Sequence, residues 1–409
     1  MTTAPDGFLD LAGPGEAWCV TGVRLEPDPT LARGSGALGL PAEEHRRRAV
    51  QLERAWLTEA WAPDGRCWEL RYGPSGRGDG RLGCVLLARA AGPTPLAARA
   101  GAHLLREQLG RLPGSVRRIP LDAGQLMGAL RPWEPVGMVE IRPRVHWSAI
   151  PRKDAAFPYG LYVDALTAEP VAWEPLWTEL TRIDGRFSLG VRLEPLVWRQ
   201  QDTAMVERLL VEYTALGRPG RFNPATGWQE GAVPFAEEAA VRYARLRQAV
   251  DNGHAYRLRT ALACADSAAL ASVAQAAQVL AAAVGGGGGA GAAVVRPVRD
   301  PGEHHAAWRA FAHLHDEWLP QVRQQEFPYG LGDFERMLVD RVSVAEASAA
   351  FRLPAETGGH LPLFSVFSAD PQGGTPARPA GPPPSTAAGL PLPPPGFGGP
   401  PEPRQGRTP

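Results

Sequence analysis

RFSLGVRLEP (residues 186–195) reads as a strand that a proline brings to a stop, and its last six letters, GVRLEP, also stand at residues 22–27. A second word, FPYGL, occurs at residues 157–161 and again at 327–331. The two spacings, 190 − 22 = 168 and 327 − 157 = 170, nearly agree. Identical words at almost one offset point to an internal duplication, which has to be settled before any other reading of the chain.

Working outward from the two GVRLEP stretches, the same order of elements follows each. After WCVTGVRLEP (18–27) come a Pro/Gly loop and a helix over 41–60, then CWELRYG (67–73) and LGCVLLARA (82–90), two strands joined by the glycine-rich hairpin loop PSGRGDGR. PLAARAGAHLLREQLG (95–110) is a helix with proline in its first turn, where a missing N–H costs nothing, and VRRIPL (116–121) is a strand. After residue 195 the pattern predicts helices over 203–216 and 236–250, a strand at 254–263, an alanine-rich helix at 267–284 and a strand at 291–298. Ala88 and Leu96 fall opposite Ala263 and Leu270, at offsets of 175 and 174. The register breaks at 299–320, which reads as helix, whereas 122–150 looks more strand-like.

The expected fold is therefore α+β: a tandem duplication of a sheet-plus-helices domain, with helices on one face of each sheet. Residues 1–165 would hold the first repeat and 166–368 the second. From 369 to 409 the chain is rich in proline and glycine with little to bury, and it reads as a disordered, partly polyproline tail.

Composition narrows the function classes. Forty-three basic side chains balance 43 acidic ones, so no strong field draws the chain to nucleic acid or an anionic membrane. Lys153 is the only lysine, and any chemistry needing that residue type must use it. Cys19, Cys67, Cys84 and Cys264 are dispersed without Cys-x-x-Cys spacing, as expected of a reduced cytosolic protein. The N-terminus lacks the basic and apolar regions of a signal peptide, and the alanine-rich stretch is too weakly apolar to be read as a membrane span.

Three stretches suggest chemistry. GSGALG, with Gly34, Gly36 and Gly39, satisfies the dinucleotide-loop spacing, but prolines separate it from the strand before and the helix after, so a flexible loop explains it better. GGGGG (285–289) lacks the following Lys-Ser/Thr of a phosphate loop, which excludes a P-loop ATPase in this chain and leaves a helix stop. GEHHAAWRAFAHLHDEW (302–318) carries His304, His305, His313 and His315. On a helix the outer histidines stand about 12–16 Å apart, too far to share a metal, so an amphipathic helix packed through Trp308 and Phe311 is the simpler reading. No G-x-S-x-G elbow is present, and the RGD at 77–79 lies in a hairpin loop.

WEPLWTELTRIDGRFSLGVRLEP (173–195) resembles a recurring element of large actinobacterial ATP-binding proteins of the conjugative-transfer, type IV secretion kind, whose motor domains are HerA/FtsK-like. MLVDRVSVAEASAAFRLPAETGGHLPLFSV (337–366), with AEASAAFRLP at its centre, resembles the passage that closes that family's N-terminal region. In the family the ATPase domain follows; here the proline-rich stretch stands in its place, and no nucleotide-binding residue carries over. The resemblance implies a non-catalytic accessory or scaffold protein, cytoplasmic, acting on a separately encoded ATPase or a membrane-associated secretion component. It implies no catalytic, cofactor or metal residue. The alternative is an enzyme that uses Gly34–Gly39 for a nucleotide cofactor or His304–His315 for a metal.

Overall fold

The structure, a computed structural model, describes residues 7–13, 15–28, 42–154, 156–167, 173–220, 225, 229, 231–286, 291–315, 326–355 and 362–366. The expected loop at 34–39 and tail at 369–409 lie outside them. The first set of elements is β1 (Leu9–Ala12), β2 (Ala17–Pro27), α1 (Ala42–Ala60), β3 (Cys67–Pro74), β4 (Leu82–Gly92), α2 (Pro95–Leu109), β5 (Val116–Pro120) and α3 (Ala123–Leu130). There follow β6 (Gly137–Pro143), the hairpin β7 (Val145–Ala149) and β8 (Tyr159–Val163), α4 (Trp173–Thr181), β9 (Phe187–Val197), α5 (Gln200–Leu216) and α6 (Pro234–Asp251). The rest are β10 (His254–Cys264), α7 (Leu270–Gly285), β11 (Ala293–Pro297), α8 (Pro301–His313), α9 (Asp333–Met337), β12 (Arg341–Ser343) and α10 (Val344–Ala350).

Ten strands join in one antiparallel sheet whose main path runs β1-β2-β4-β3-β9-β10-β6-β11, with β5 on β2 and β12 on β10. The middle of the sheet is the β3–β9 pair, in which Trp68 faces Leu193, Glu69 faces Arg192 and Leu70 faces Val191. Outward from that pair the order is β3-β4-β2-β5 on one side and β9-β10-β6-β11 on the other. Both sets share the order strand, helix, strand, strand, helix, strand, helix, the second with the β7–β8 ribbon inserted after β6 and the α5–α6 hairpin inserted between β9 and β10. The sheet is thus built of two like halves joined edge to edge, and residues 1–367 make one unit by their contacts.

This order re-pairs the sequence words. β9, which carries the second GVRLEP, stands opposite β3, whereas the first GVRLEP is on β2, whose counterpart is β6. Ala88 with Ala263 and Leu96 with Leu270 do fall at corresponding places, on β4 and β10 and at the starts of α2 and α7. The helix at 301–313 also finds its counterpart in α3, inside the stretch that looked strand-like.

Helices cover both faces of the sheet, not one. Leu70, Leu86, Leu189, Val191 and Leu258 meet α1, α2, α4, α7 and α10 in the main core. α7, the one helix among the described residues long and apolar enough to cross a membrane, turns Val273, Ala276, Leu280 and Val284 into that core. On the second face α3 packs through Leu126 and Leu130, and α8 through Ala307, Ala310 and Phe311. The glycines of GVRLEP admit these helices. A Cβ on Gly190 would stand 2.6 Å from the Phe311 ring, and one on Gly22 would stand 3.1 Å from Leu126. The repeated word therefore does a similar job on two strands that are not counterparts.

The α5–α6 hairpin forms a smaller core with the β7–β8 ribbon through Val206, Leu209, Tyr213, Ala239 and Tyr243. The two FPYGL copies meet beside it: Leu161 and Leu331 are buried in one cluster with Val339. The first copy enters β8, while the second is a turn that leads into α9. All four cysteines are buried and none forms a disulfide.

Candidate functional site

Three clusters of buried ionisable groups show by their partners what the charge is for. On the second face of the sheet, Glu69 of β3 accepts from Arg71 Nε at 2.6 Å and lies 3.8 Å from Arg192 of β9. Arg71 also donates to Leu130 O at 3.0 Å and Phe311 O at 2.6 Å, and Arg192 donates to Ala310 O at 2.6 Å. Arg259 of β10 donates to Ala307 O at 3.0 Å and to Glu140 of β6 at 3.2 Å. Arg71 and Arg192 satisfy carbonyls in the last turns of α3 and α8, where the helix dipole favours a cation, and Arg259 reaches a carbonyl one turn earlier in α8. The row continues through Arg142 and Glu326 (3.1 Å) to Arg296, which bonds Glu303 of α8. Sequence alternation predicts Arg192, Glu194, Arg24 and Glu26 as solvent-facing or paired across the sheet. Arg192 and Glu26 are buried, and Glu194 pairs across the sheet with Arg257 at 2.9 Å.

The second cluster lies under the FPYGL pair. Glu335 of α9, 2% exposed, accepts from Leu161 N at 3.1 Å, from the Tyr213 hydroxyl at 2.6 Å and from Arg152 at 2.6 Å. Burial and the Glu335 charge push the Tyr213 phenol up, so it stays a donor. The third joins α1 to the AEASAAFRLP passage: Glu53 accepts from Arg352 at 3.0 Å and from Leu353 N at 3.1 Å. Burial lifts the Glu53 carboxyl to about 7 against the pull of Arg352.

An open groove of about 270 Å³ lies between α6 and the β12–α10 segment. Its floor is Pro143, Tyr162, Val163 and Leu166. One wall is a single face of α6, because Arg242, Arg245, Leu246 and Ala249 recur at helical spacing. The other wall holds Leu338, Arg341, Val342, Ser343 and Glu346. Asp164 is clamped between Arg242 at 2.8 Å and His146 Nε2 at 2.9 Å, and the His146 ring stacks on Tyr162 with centroids 4.6 Å apart. Arg341 reaches Asp202 at 3.3 Å and lies over the Trp198 ring. Glu346 caps its own helix, accepting from Ser343 N at 2.8 Å, and burial raises its pKa. Arg245 is exposed and has no ion pair or hydrogen bond among the described residues.

The groove gathers residues that no single stretch of sequence announces, drawn from 143–166, 242–249 and 338–346. His146 has an oriented imidazole, bonded to Asp164 and stacked on the Tyr162 ring.

The histidine helix forms over Pro301–His313 and packs through Phe311 as its pattern implies. His315 packs on Trp18 at 4.8 Å, and His313 stands beside Arg131. Burial and the neighbouring Arg131 and Arg309 charges lower the His313 pKa to about 4. Among the described residues no three of His, Cys, Asp and Glu are placed together to hold a metal. The Gly34–Gly39 loop lies outside the described residues. Searched against known proteins, the chain matches no family model and no curated protein.

Proposed function

We propose that this protein acts by binding another protein, as a non-catalytic accessory or scaffold for a separately encoded ATPase or a membrane-associated secretion component in the cytoplasm. The resemblance of residues 173–195 and 337–366 supplies the class of partner. The observation that carries the mode of action is how the buried charges are used. Arg71, Arg192 and Arg259 each tie a strand to a helix, Glu69 and Glu140 hold those arginines within the sheet, and Glu335 ties α9 to β8 and α5. That arrangement serves a rigid body that presents a surface. The groove beside α6 is the concave part of that surface with an uncommitted cation.

The test is affinity purification of the tagged protein from its native host, with mass spectrometry of what accompanies it. Recovery of a Walker-motif ATPase or a secretion component in stoichiometric amount is the expected result. Recovery of the folded protein alone overturns the proposal, as would micromolar binding of labelled ATP to the purified chain.

A further inference from the structure

We propose that the groove between α6 and the β12–α10 segment captures the C-terminal residue of a partner protein, taking its free carboxylate at Arg245 and an aliphatic last side chain on the apolar floor. This rests on the reading of function above and gives it a place on the molecule.

Charge, size and lining each select the occupant. Three arginines and two acids line the groove, and with Arg242 paired to Asp164 and Arg341 to Asp202 the lining cation left for an incoming carboxylate is Arg245. Both acids are already engaged, Asp164 by Arg242 and His146 and Glu346 by Ser343. Arg341 is held on Asp202 and Arg242 on Asp164, so an incoming carboxylate meets Arg245 without breaking a pair. A planar guanidinium offers two parallel N–H donors to such a group. Val163 and Leu166 on the floor and Leu246 and Val342 on the walls give the groove an aliphatic lining. At about 270 Å³ the groove lies under the roughly 300–1,000 Å³ of drug-sized pockets, which suits one chain end better than a nucleotide cofactor. Capture of a C-terminal carboxylate is an established way for proteins to read peptides.

The experiment titrates three probes into the full chain and follows binding by calorimetry and by amide NMR shifts at Leu246, Ala249 and Val342. The probes are acetyl-Gly-Gly-Leu with a free carboxylate, the same peptide as its carboxamide, and 4-methylpentanoate. The free-acid peptide is expected to bind with a dissociation constant below about 1 mM, at least tenfold tighter than the amide. The Arg245→Ala variant is expected to lose at least fivefold, with Arg245→Lys between it and the parent. Equal binding of acid and amide, or no binding of the acid, overturns the proposal without relying on any variant. Binding of 4-methylpentanoate as tightly as the peptide overturns the chain-end occupant and assigns the groove to a small free acid. If Arg245→Ala still co-purifies its partner at the parental level, the groove is not the docking site and the proposed function stands without it.

Discussion

Gly330, in the second FPYGL, lies against Pro158 of the first: a Cβ on it would stand 3.1 Å from Pro158 Cδ, and its φ of +92° is a conformation that L side chains rarely adopt. One copy of the word is therefore packed on the other, and Leu161 and Leu331 share a buried cluster as a result. Gly330→Ala meets both the steric wall and the left-handed backbone. It is expected to destabilise the fold by about 1–3 kcal/mol, read as a lower urea midpoint at unchanged slope. Gly114→Ala, with open space around it, is the control and should leave the midpoint in place.

Glu335 ties Arg152, Tyr213 and the Leu161 amide to one carboxylate. Replacing it with alanine removes one of the two carboxylates on Arg152, which keeps Glu212 at 3.1 Å, while Leu161 N keeps the Tyr213 hydroxyl at 3.1 Å, and we expect a loss of about 1–3 kcal/mol. Glu335→Gln keeps an acceptor for Leu161 N and should lose less. A loss under about 1 kcal/mol for the alanine variant would contradict the role of this carboxylate as the junction of the β7–β8 ribbon with α9.

Two groups give opposite slopes of stability against pH. Glu53 has a folded pKa raised to about 7, so between its ordinary value near 4.5 and about 7 the folded state holds more protons than the unfolded one. Stability from this group is full at the acid end of that window and is lost as pH rises through it, by up to about 3 kcal/mol. His313, lowered to about 4, contributes the reverse: stability present above 6.5 and lost as pH falls toward 4. Thermal melts between pH 4 and 8 should show Glu53→Gln steepening the rise of Tm with pH and His313→Gln flattening it. The opposite pairing of slopes would refute the assignment.

Gly190 faces the Phe311 ring and, at 2.8 Å from an added Cβ, the Glu69 carboxylate. Gly190→Ala is expected to push α8 off the sheet and lower stability by about 1–3 kcal/mol. The shift should be seen as faster amide exchange in Ala307, Ala310 and Phe311; unchanged protection there would show that the ring yields instead.

Much of this fold is legible in the chain. Alternating apolar residues ended by proline place β2 and β9 within a few residues of their observed limits, and proline at the first turn marks the start of α2. Pairing is less visible, because local pattern says nothing about which edge a strand joins: GVRLEP suggests β2 and β9 as counterparts, while the sheet order couples β9 with β3. Glu140 and Arg259 read as ordinary strand polars, since their burial depends on a contact across 119 positions. The groove was out of reach for the same reason. Arg242 and Arg245 look like two of many arginines on an exposed helix face until residues 338–346 close the other side.

The partnership of Glu53 with Arg352 spans 299 residues, and it sets a timetable for synthesis. A ribosome adding about 5–20 residues per second needs about 15–60 s to make that length of chain. Throughout that interval α1 carries a carboxylate destined for the core with its cation not yet made. The Leu82 amide likewise waits for the Leu363 carbonyl. The first half of the sheet is thus finished by nearly the last residues of the unit.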